Sequence, residues 1–283
     1  MQEVEELNYK QLCKHVCVLA MEVGDYLREE RLHSGTPTSE SKGLHDFVTM
    51  FDKEAERRIV VRLQELMPDA GYIAEEGHGE HHGNEPFVWI IDPLDGTTNF
   101  IHRFAPTCVS IALQHQGRMV LGVVYEIWMQ ECFYAYDGGG AFLNGSPISV
   151  SSTAHVDDAL LATGFPYTDF KFMSQYMKLL EWSMHHSHGV RRLGSAAADL
   201  AYVACGRVDG FFEYGLKPYD VAAGAYIVMQ AGGCVTDFSR HDKWLHGGEI
   251  VASSAAIATE LQQVVEQHMH AKKRLRDYMF TRK

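Results

Sequence analysis

Apolar side chains recur at two different periods along this chain, and the change of period outlines its elements. Between residues 7 and 30, Leu12, Val16, Ala20, Val23 and Leu27 follow one another at steps of three and four. That spacing keeps them on one face of an α-helix. The stretch HSGTPTSESKG, 33–43, is rich in Ser, Thr and Gly and reads as a polar loop. A second amphipathic helix follows, with Phe51, Ala55, Ile59, Leu63 and Leu66 on one face and Pro68 at its end. From residue 71 the period shortens. GYIAEE (71–76) and FVWII (87–91) predict short strands, and 107–115, 118–127 and 131–136 predict longer ones. Gln116-Gly117 predicts a hairpin, and DGGGAFLNG (137–145) predicts a turn-rich close to a largely antiparallel sheet.

Strands and helices then alternate. A strand near 159–163 precedes helices over 169–186 and 195–205, a short strand over 210–213 and a helix over 220–231. Strands near 234–237 and 249–253 lead to a C-terminal helix from about 255. Alternation of this kind predicts an α/β layer arrangement. The most linker-like stretch, near 145–155, is short. The chain therefore reads as two closely packed halves, 1–147 and 148–283, the first carrying two helices and a sheet.

Composition narrows the function. The chain has 283 residues and a net charge of −12, which argues against a non-specific grip on nucleic acid. An anionic small substrate stays possible if a cation is recruited locally. The six cysteines, Cys13, Cys17, Cys108, Cys132, Cys205 and Cys234, form no CxxC pair. They read as buried thiols of a reducing compartment. No signal-peptide pattern opens the chain and no apolar run is long enough to span a membrane, so the cytoplasm is the expected location.

Carboxylates carry the candidate chemistry. The apolar run FVWII meets Asp92, and Asp95 follows three residues later in IIDPLDGTTNF. Glu75 and Glu76 end GYIAEE, and Asp220 opens a helix in LKPYDVAAGAY. Each has a plain structural reading: Asp95 as a turn residue, Asp220 as a helix cap, the glutamates as a solvated loop. Taken together, four converging carboxylates need their repulsion offset. Oxygen ligands without His or Cys suit a hard cation such as Mg²⁺. Two such cations can clamp a phosphate and favour attack by water. The turn at DGTTNF, entering a helix, favours anions. Asp52, ending DFVTMFD, can orient a hydroxyl, because an ionised carboxylate only accepts.

WIIDPLDGTTNF, with AEEG upstream and YDVAAGAYIVMQAGG downstream, resembles the inositol monophosphatase family over most of the chain. The resemblance implies an α-β-α-β-α sandwich of the sugar-phosphatase type, commonly a homodimer and inhibited by lithium. It implies two or three Mg²⁺ ions. Glu75, Asp92 and the backbone carbonyl of Leu94 look like ligands of the first; Asp92, Asp95 and Asp220 look like ligands of the second. Glu75 looks like a water-mediated ligand of a third. Thr97, paired with Asp52 and acting with Glu75, looks like the group that positions or deprotonates the attacking water. Gly96 and Thr97 would offer backbone N–H groups to the phosphate. Gly194, Ser195 and Ala196 in RRLGSAAADL resemble the substrate-side helix start, and Glu213 in DGFFEYG the acid that bonds a sugar-like hydroxyl. The expected reaction is hydrolysis of inositol 1-phosphate or a similar phosphorylated polyol by cation-activated water, without a covalent phosphoenzyme.

Two departures stand out. Tyr219 occupies a position where the family often has Trp, and Lys42 stands for the lysine upstream of DFVT. His78, His81 and His82 read as a solvated loop rather than a soft-metal site, as do His185, His186 and His188 near a helix end. Competing substrates on the same fold are a nucleotide bisphosphate, fructose 1,6-bisphosphate and histidinol phosphate; Thr98-Asn99-Phe100 favours inositol phosphate among relatives. A different class altogether is a regulatory binding protein that uses the fold for contacts with transcription or translation machinery.

Overall fold

The computed structural model describes residues 8–33, 39–43, 46–78, 85–167 and 170–269. Helix α1 (Tyr9–His33) is followed by the antiparallel ribbon β1 (Ser39–Gly43) and β2 (Asp46–Thr49), then by helix α2 (Met50–Leu66). Next come β3 (Gly71–Ala74), β4 (Phe87–Asp95), the short helix α3 (Thr97–Ile101), β5 (Cys108–His115), β6 (Arg118–Glu126), β7 (Glu131–Tyr136), β8 (Gly140–Leu143) and β9 (Ser146–Pro147). The strands β3 to β9 make one sheet in chain order, parallel only between β3 and β4.

A 3₁₀ turn at Val156–Asp158 leads to β10 (Leu160–Thr163), α4 (Met173–His185), β11 (Gly189–Arg191), α5 (Ala196–Ala204), β12 (Gly210–Tyr214) and α6 (Pro218–Gln230). The described chain closes with β13 (Gly233–Thr236), β14 (Glu249–Ser254) and α7 (Ala258–Met269). The second sheet is mixed, in the order β11-β10-β12-β14-β13. Helices α1 and α2 cover one face of the first sheet, α5 and α6 lie between the sheets, and α4 and α7 cover the outer face of the second. This is the expected α-β-α-β-α layering.

The helix stripes read from the sequence are the packed ones. Leu12, Val16, Ala20, Val23 and Leu27 are buried, as are Phe51, Ala55, Ile59 and Leu63. Leu66, expected on the same face, is 37% exposed at the last residue of α2. The middle layer is thin because its contacts are small. A Cβ on Gly224 of α6 would come within 2.6 Å of Leu200 on α5, and one on Gly122 of β6 within 2.8 Å of the Ala223 carbonyl. Backbones this close leave no room for side chains, which accounts for the Ala and Gly of AAADLA and VAAGA. The expected hairpin is present: Gln116 and Gly117 both have positive φ, and His115 pairs with Arg118.

Four expectations change. Residues 39–43 of the anticipated polar loop are strand β1, since β2 supplies backbone partners that composition does not reveal. The turn-rich stretch at 137–145 holds β8, with β9 immediately beyond it. The strand expected at 87–91 runs on to Asp95. Not every cysteine is interior: Cys205 is half-buried and Cys234 exposed. No helix among the described residues is long and apolar enough to cross a membrane.

Candidate active site

In a regular strand Asp92 and Asp95, three residues apart, would point to opposite faces. They do not, because β4 carries a bulge between them. Asp92 pairs with Ser110 and Asp95 with Cys108, so three steps on β4 match two on β5. The extra residue turns both carboxylates into one cleft. Pro93, which has no N–H to give a ladder, sits where the ladder is broken.

Glu75 arrives from the parallel neighbour, one residue beyond β3, and its N–H donates to the Ile91 carbonyl at 3.2 Å. Asp220 arrives from the start of α6. Glu75, Asp92, Leu94, Asp95 and Asp220 line a single cleft of about 210 Å³, room for a small phosphate ester. Gly96, Thr97, Gly194, Ser195, Ala196 and Glu213 line it too.

Two helices of the middle layer aim their N-termini at this cleft. Asp95 Oδ2 accepts from Ser195 Oγ at 2.6 Å and from the Ala197 N–H at 2.7 Å, at the first turn of α5. Its bonds thus reach α5, beyond the local turn the plain reading assigned it. Asp220 Oδ2 accepts from the Lys217 N–H at 2.7 Å. It caps α6 and lines the cleft at once. Negative charge at a helix N-terminus is favourable, so the fold tolerates the two acids there. Gly96, between Asp95 and Thr97, has φ 91, and a Cβ on it would lie 3.2 Å from the Gly194 and Pro106 carbonyls. That backbone shape and that closeness favour glycine.

The hydroxyl of Thr97 lies 3.1 Å from Asp52 Oδ1 and 3.1 Å from the Leu94 carbonyl. It has one hydrogen for two acceptors, so its lone pairs stay open to a water. Asp52 is buried at the start of α2. Ser195, expected near substrate, spends its hydroxyl on Asp95 and on capping α5 at Ala198.

Burial dominates the electrostatics. Asp92 is pushed well above the usual carboxylate range by desolvation first, then by the charges of Glu75, Asp95 and Asp220. Asp220 is raised by desolvation and then by Asp95. Asp95 rises to about 6 through desolvation, opposed by its bonds to Ser195 and Ala197 and by Arg192. Glu75 raises Asp92 as a neighbouring like charge. Like charges gathered in a desolvated cleft need a proton or a cation to offset them. The donor set fits a hard divalent cation: oxygen atoms only, no His or Cys among them. Among the described residues no three such side chains already form a closed cage. The acids line an open cleft, and some of their oxygens are engaged with backbone N–H groups.

The sequence reading passed over several residues that build the site. Glu56, fully buried on α2, accepts from the Glu76 N–H, the His78 N–H and His78 Nδ1, each at 2.8 Å. It thereby fixes the turn that carries Glu75. His78, expected in a solvated loop, is tied to this acid; His81 and His82 lie outside the described residues, as does the side chain of Lys42. Replacing Glu56 with Ala strands three donors. The expected result is a loss of about 2 kcal/mol of stability, read from the urea midpoint, together with lower turnover. Asn99 on α3 donates to the Pro106 and Leu193 carbonyls at 2.9 and 2.8 Å, joining the DGTTNF turn to the Gly194 loop. Arg192 and Tyr167 also line the cleft, and so does Tyr219, already noted in the sequence as a departure from the family's Trp. A pair of arginines before LGS was the available signal for Arg192, but adjacent arginines read first as surface charge.

Known proteins share this fold. The model of the inositol monophosphatase family matches residues 8–270. The Nus factor SuhB of Escherichia coli strain K12 is 45% identical over 217 residues, 76% of this chain and 81% of that relative. The crystal structure of extragenic suppressor protein suhB from Bartonella henselae superposes with a TM-score of 0.86 at 35% identity, covering 91% of this chain and 99% of that one. The inositol monophosphatase from Anabaena (Nostoc) sp. PCC 7120 gives a TM-score of 0.81 at 33% identity, covering 93% and 98%. With five layers in the same order and a family match across nearly all its length, the chain belongs to the inositol monophosphatase family.

Proposed function

We propose that this chain is a Mg²⁺-dependent phosphatase that hydrolyses the phosphate monoester of a small polyol, with inositol 1-phosphate the best-fitting substrate. One observation carries the reading: Glu75, Asp92, Asp95 and Asp220, from three separate segments, line one cleft. Glu75, Asp92 and the Leu94 carbonyl would hold one Mg²⁺. Asp92, Asp95 and Asp220 would hold a second, and Glu75 would help hold a third through water. When bound, these cations supply positive charge to the phosphate and to the departing oxygen, and they acidify water.

The chain's own groups do the rest. Thr97, donating its hydrogen to Asp52, turns a lone pair toward the attacking water and so orients it. Glu75 takes the proton that this water loses. The water oxygen forms a bond to phosphorus in line as the ester P–O bond breaks, and the departing polyol oxygen takes a proton from a second, solvent water and leaves as the alcohol. Backbone N–H groups at Gly96 and Thr97, which line the cleft, would donate to the phosphate. Gly194, Ala196 and Glu213 line the side that receives the polyol, with Ser195 bracing Asp95. Positioning and charge account for the rate, with no covalent intermediate. Thr97→Val keeps the shape and removes the hydroxyl. The expected kcat falls about 100-fold with little change in KM, measured by steady-state phosphate release.

A panel of esters tests the substrate: inositol 1-phosphate, fructose 1,6-bisphosphate, adenosine 3′,5′-bisphosphate and histidinol phosphate, each with Mg²⁺ and with EDTA. Inositol 1-phosphate is expected to be turned over fastest, and only with Mg²⁺. Much faster turnover of a bisphosphate would replace the polyol reading. A homodimer in the cytoplasm is part of this proposal, and sedimentation velocity reads the dimer. Lithium inhibition belongs to it as well.

Relatives named Nus factors favour a second reading, an accessory role on the same fold. A stoichiometric protein partner in a pull-down, together with no phosphate release in Mg²⁺, would support it over the enzymatic one.

A further inference from the structure

Beside the carboxylates proposed to bind cations, the cleft is lined by Gly164, Phe165, Tyr167, Arg192 and Glu213. Glu213, on the fully buried strand β12, is 7% exposed. Its carboxyl lies flat on Gly164, where a Cβ would come within 2.0 Å of both oxygens. Position 164 is therefore glycine so that this acid can reach the cleft.

Arg192 follows β11 and is seated by aromatic groups. Its Nη2 donates to the Tyr167 hydroxyl. The guanidinium carbon lies 5.6 Å from the Phe165 ring centre and 5.5 Å from that of Tyr167, within cation–π range. Nη1 sits over Gly194, where a Cβ would be 2.5 Å away. Among the described residues Arg192 makes no ion pair, and its buried Nε has no hydrogen-bond partner. A guanidinium packed this firmly, with donors to spare, is arranged for something else to bind.

The charges of Glu213 and Arg192 act on each other, yet the two form no ion pair. A gap separates a buried acceptor from a forked donor. A second phosphate or carboxylate there would suit Arg192 but would face Glu213, a like charge in a desolvated place. A hydroxyl suits both sides, because it donates and accepts. We infer that Arg192, held by Tyr167 and Phe165, is a specificity-determining residue that donates to one hydroxyl of a vicinal diol on the substrate, while Glu213 accepts from the neighbouring hydroxyl. This rests on the polyol reading above, with Glu213 as its acid toward a substrate hydroxyl; what it adds is Arg192 as the donor to the adjacent hydroxyl.

The test compares two esters in Mg²⁺: myo-inositol 1-phosphate, which carries the diol, and phenyl phosphate, which has no hydroxyl. In R192Q the ratio of their kcat/KM values is expected to fall at least about tenfold, with most of the change in the inositol ester and a raised KM. Taking the ratio cancels any influence of the lost cation on the carboxylates that both substrates share. An equal loss for both esters, or no loss for either, overturns the inference about Arg192 and leaves the polyol reading standing. A wild-type enzyme that cleaves phenyl phosphate but not the inositol ester overturns both. Should R192Q fail to fold, the same ratio is read on R192K, which keeps the charge and gives up the fork; an unchanged ratio there counts against the inference.

Discussion

Asp220→Asn is expected to lower kcat/KM by at least about 1,000-fold while the protein stays folded. The separation of the two effects follows from what the side chain does. One oxygen of Asp220 accepts from the Lys217 N–H and closes the first turn of α6. Asparagine keeps a carbonyl oxygen of the same reach, so the cap survives. What disappears is one negative charge among Glu75, Asp92 and Asp95, and with it a ligand of the proposed second cation. Steady-state phosphate release and far-ultraviolet circular dichroism read the two halves of the expectation. Activity within about tenfold of wild type would count heavily against a role for Asp220 in binding the cation. Asp95 is a less clean target, because a single oxygen serves both Ser195 and Ala197, and an amide nitrogen in its place would face their donors.

The second large effect is on stability, and its sign is unusual. Acid normally destabilises proteins by protonating paired carboxylates. Here burial raises Asp92, Asp220 and Glu213 above their ordinary range, and Asp95 to about 6. The folded state then binds more protons than the unfolded chain. The stabilising contribution is fully present below the unfolded carboxylate value, about 4, and is lost as pH rises through about 6 and beyond. Without cations the protein is therefore expected to melt higher at pH 5 than at pH 8, by about 5 °C. Mg²⁺ acts on the same repulsion, so it is expected to raise the melting temperature strongly at pH 8 and weakly at pH 5, where protons compete for the same oxygens. Scanning fluorimetry over this range, in EDTA and in Mg²⁺, measures both. A Mg²⁺ shift that is the same at both pH values would separate cation binding from these carboxylates.

Local signals carried much of the fold. The stripe on α1 and the hairpin at Gln116-Gly117 depend on nearby residues, and both appear where periodicity and turn chemistry put them. The acids were visible because each stood out against an apolar or small-residue background. What the sequence hid was non-local. The bulge that brings Asp92 and Asp95 to the same side exists only in the pairing of β4 with β5. Glu56 sits in DKEAERR, a run that reads as solvent-facing, and its burial is decided by a turn 20 residues away. Arg192 looks like its neighbour Arg191 until Tyr167 and Phe165 close around it. The strand β1 is polar, so its place follows from β2 rather than from any pattern of its own.

The middle layer shows how fold and site depend on each other. Small residues on α5 and α6 let the helices lie close to each other and to β6. Their N-termini then meet over Asp95 and Asp220. A larger residue at Gly224 would push α6 from α5 and so separate the two acids.

Crystals grown with Mn²⁺ in place of Mg²⁺ test the cation site most directly, through the anomalous scattering of manganese. The expected map has peaks in the cleft within bonding distance of carboxylate oxygens from Glu75, Asp92, Asp95 and Asp220. A fully loaded crystal with no peak there, or with manganese bound only elsewhere on the molecule, would contradict it.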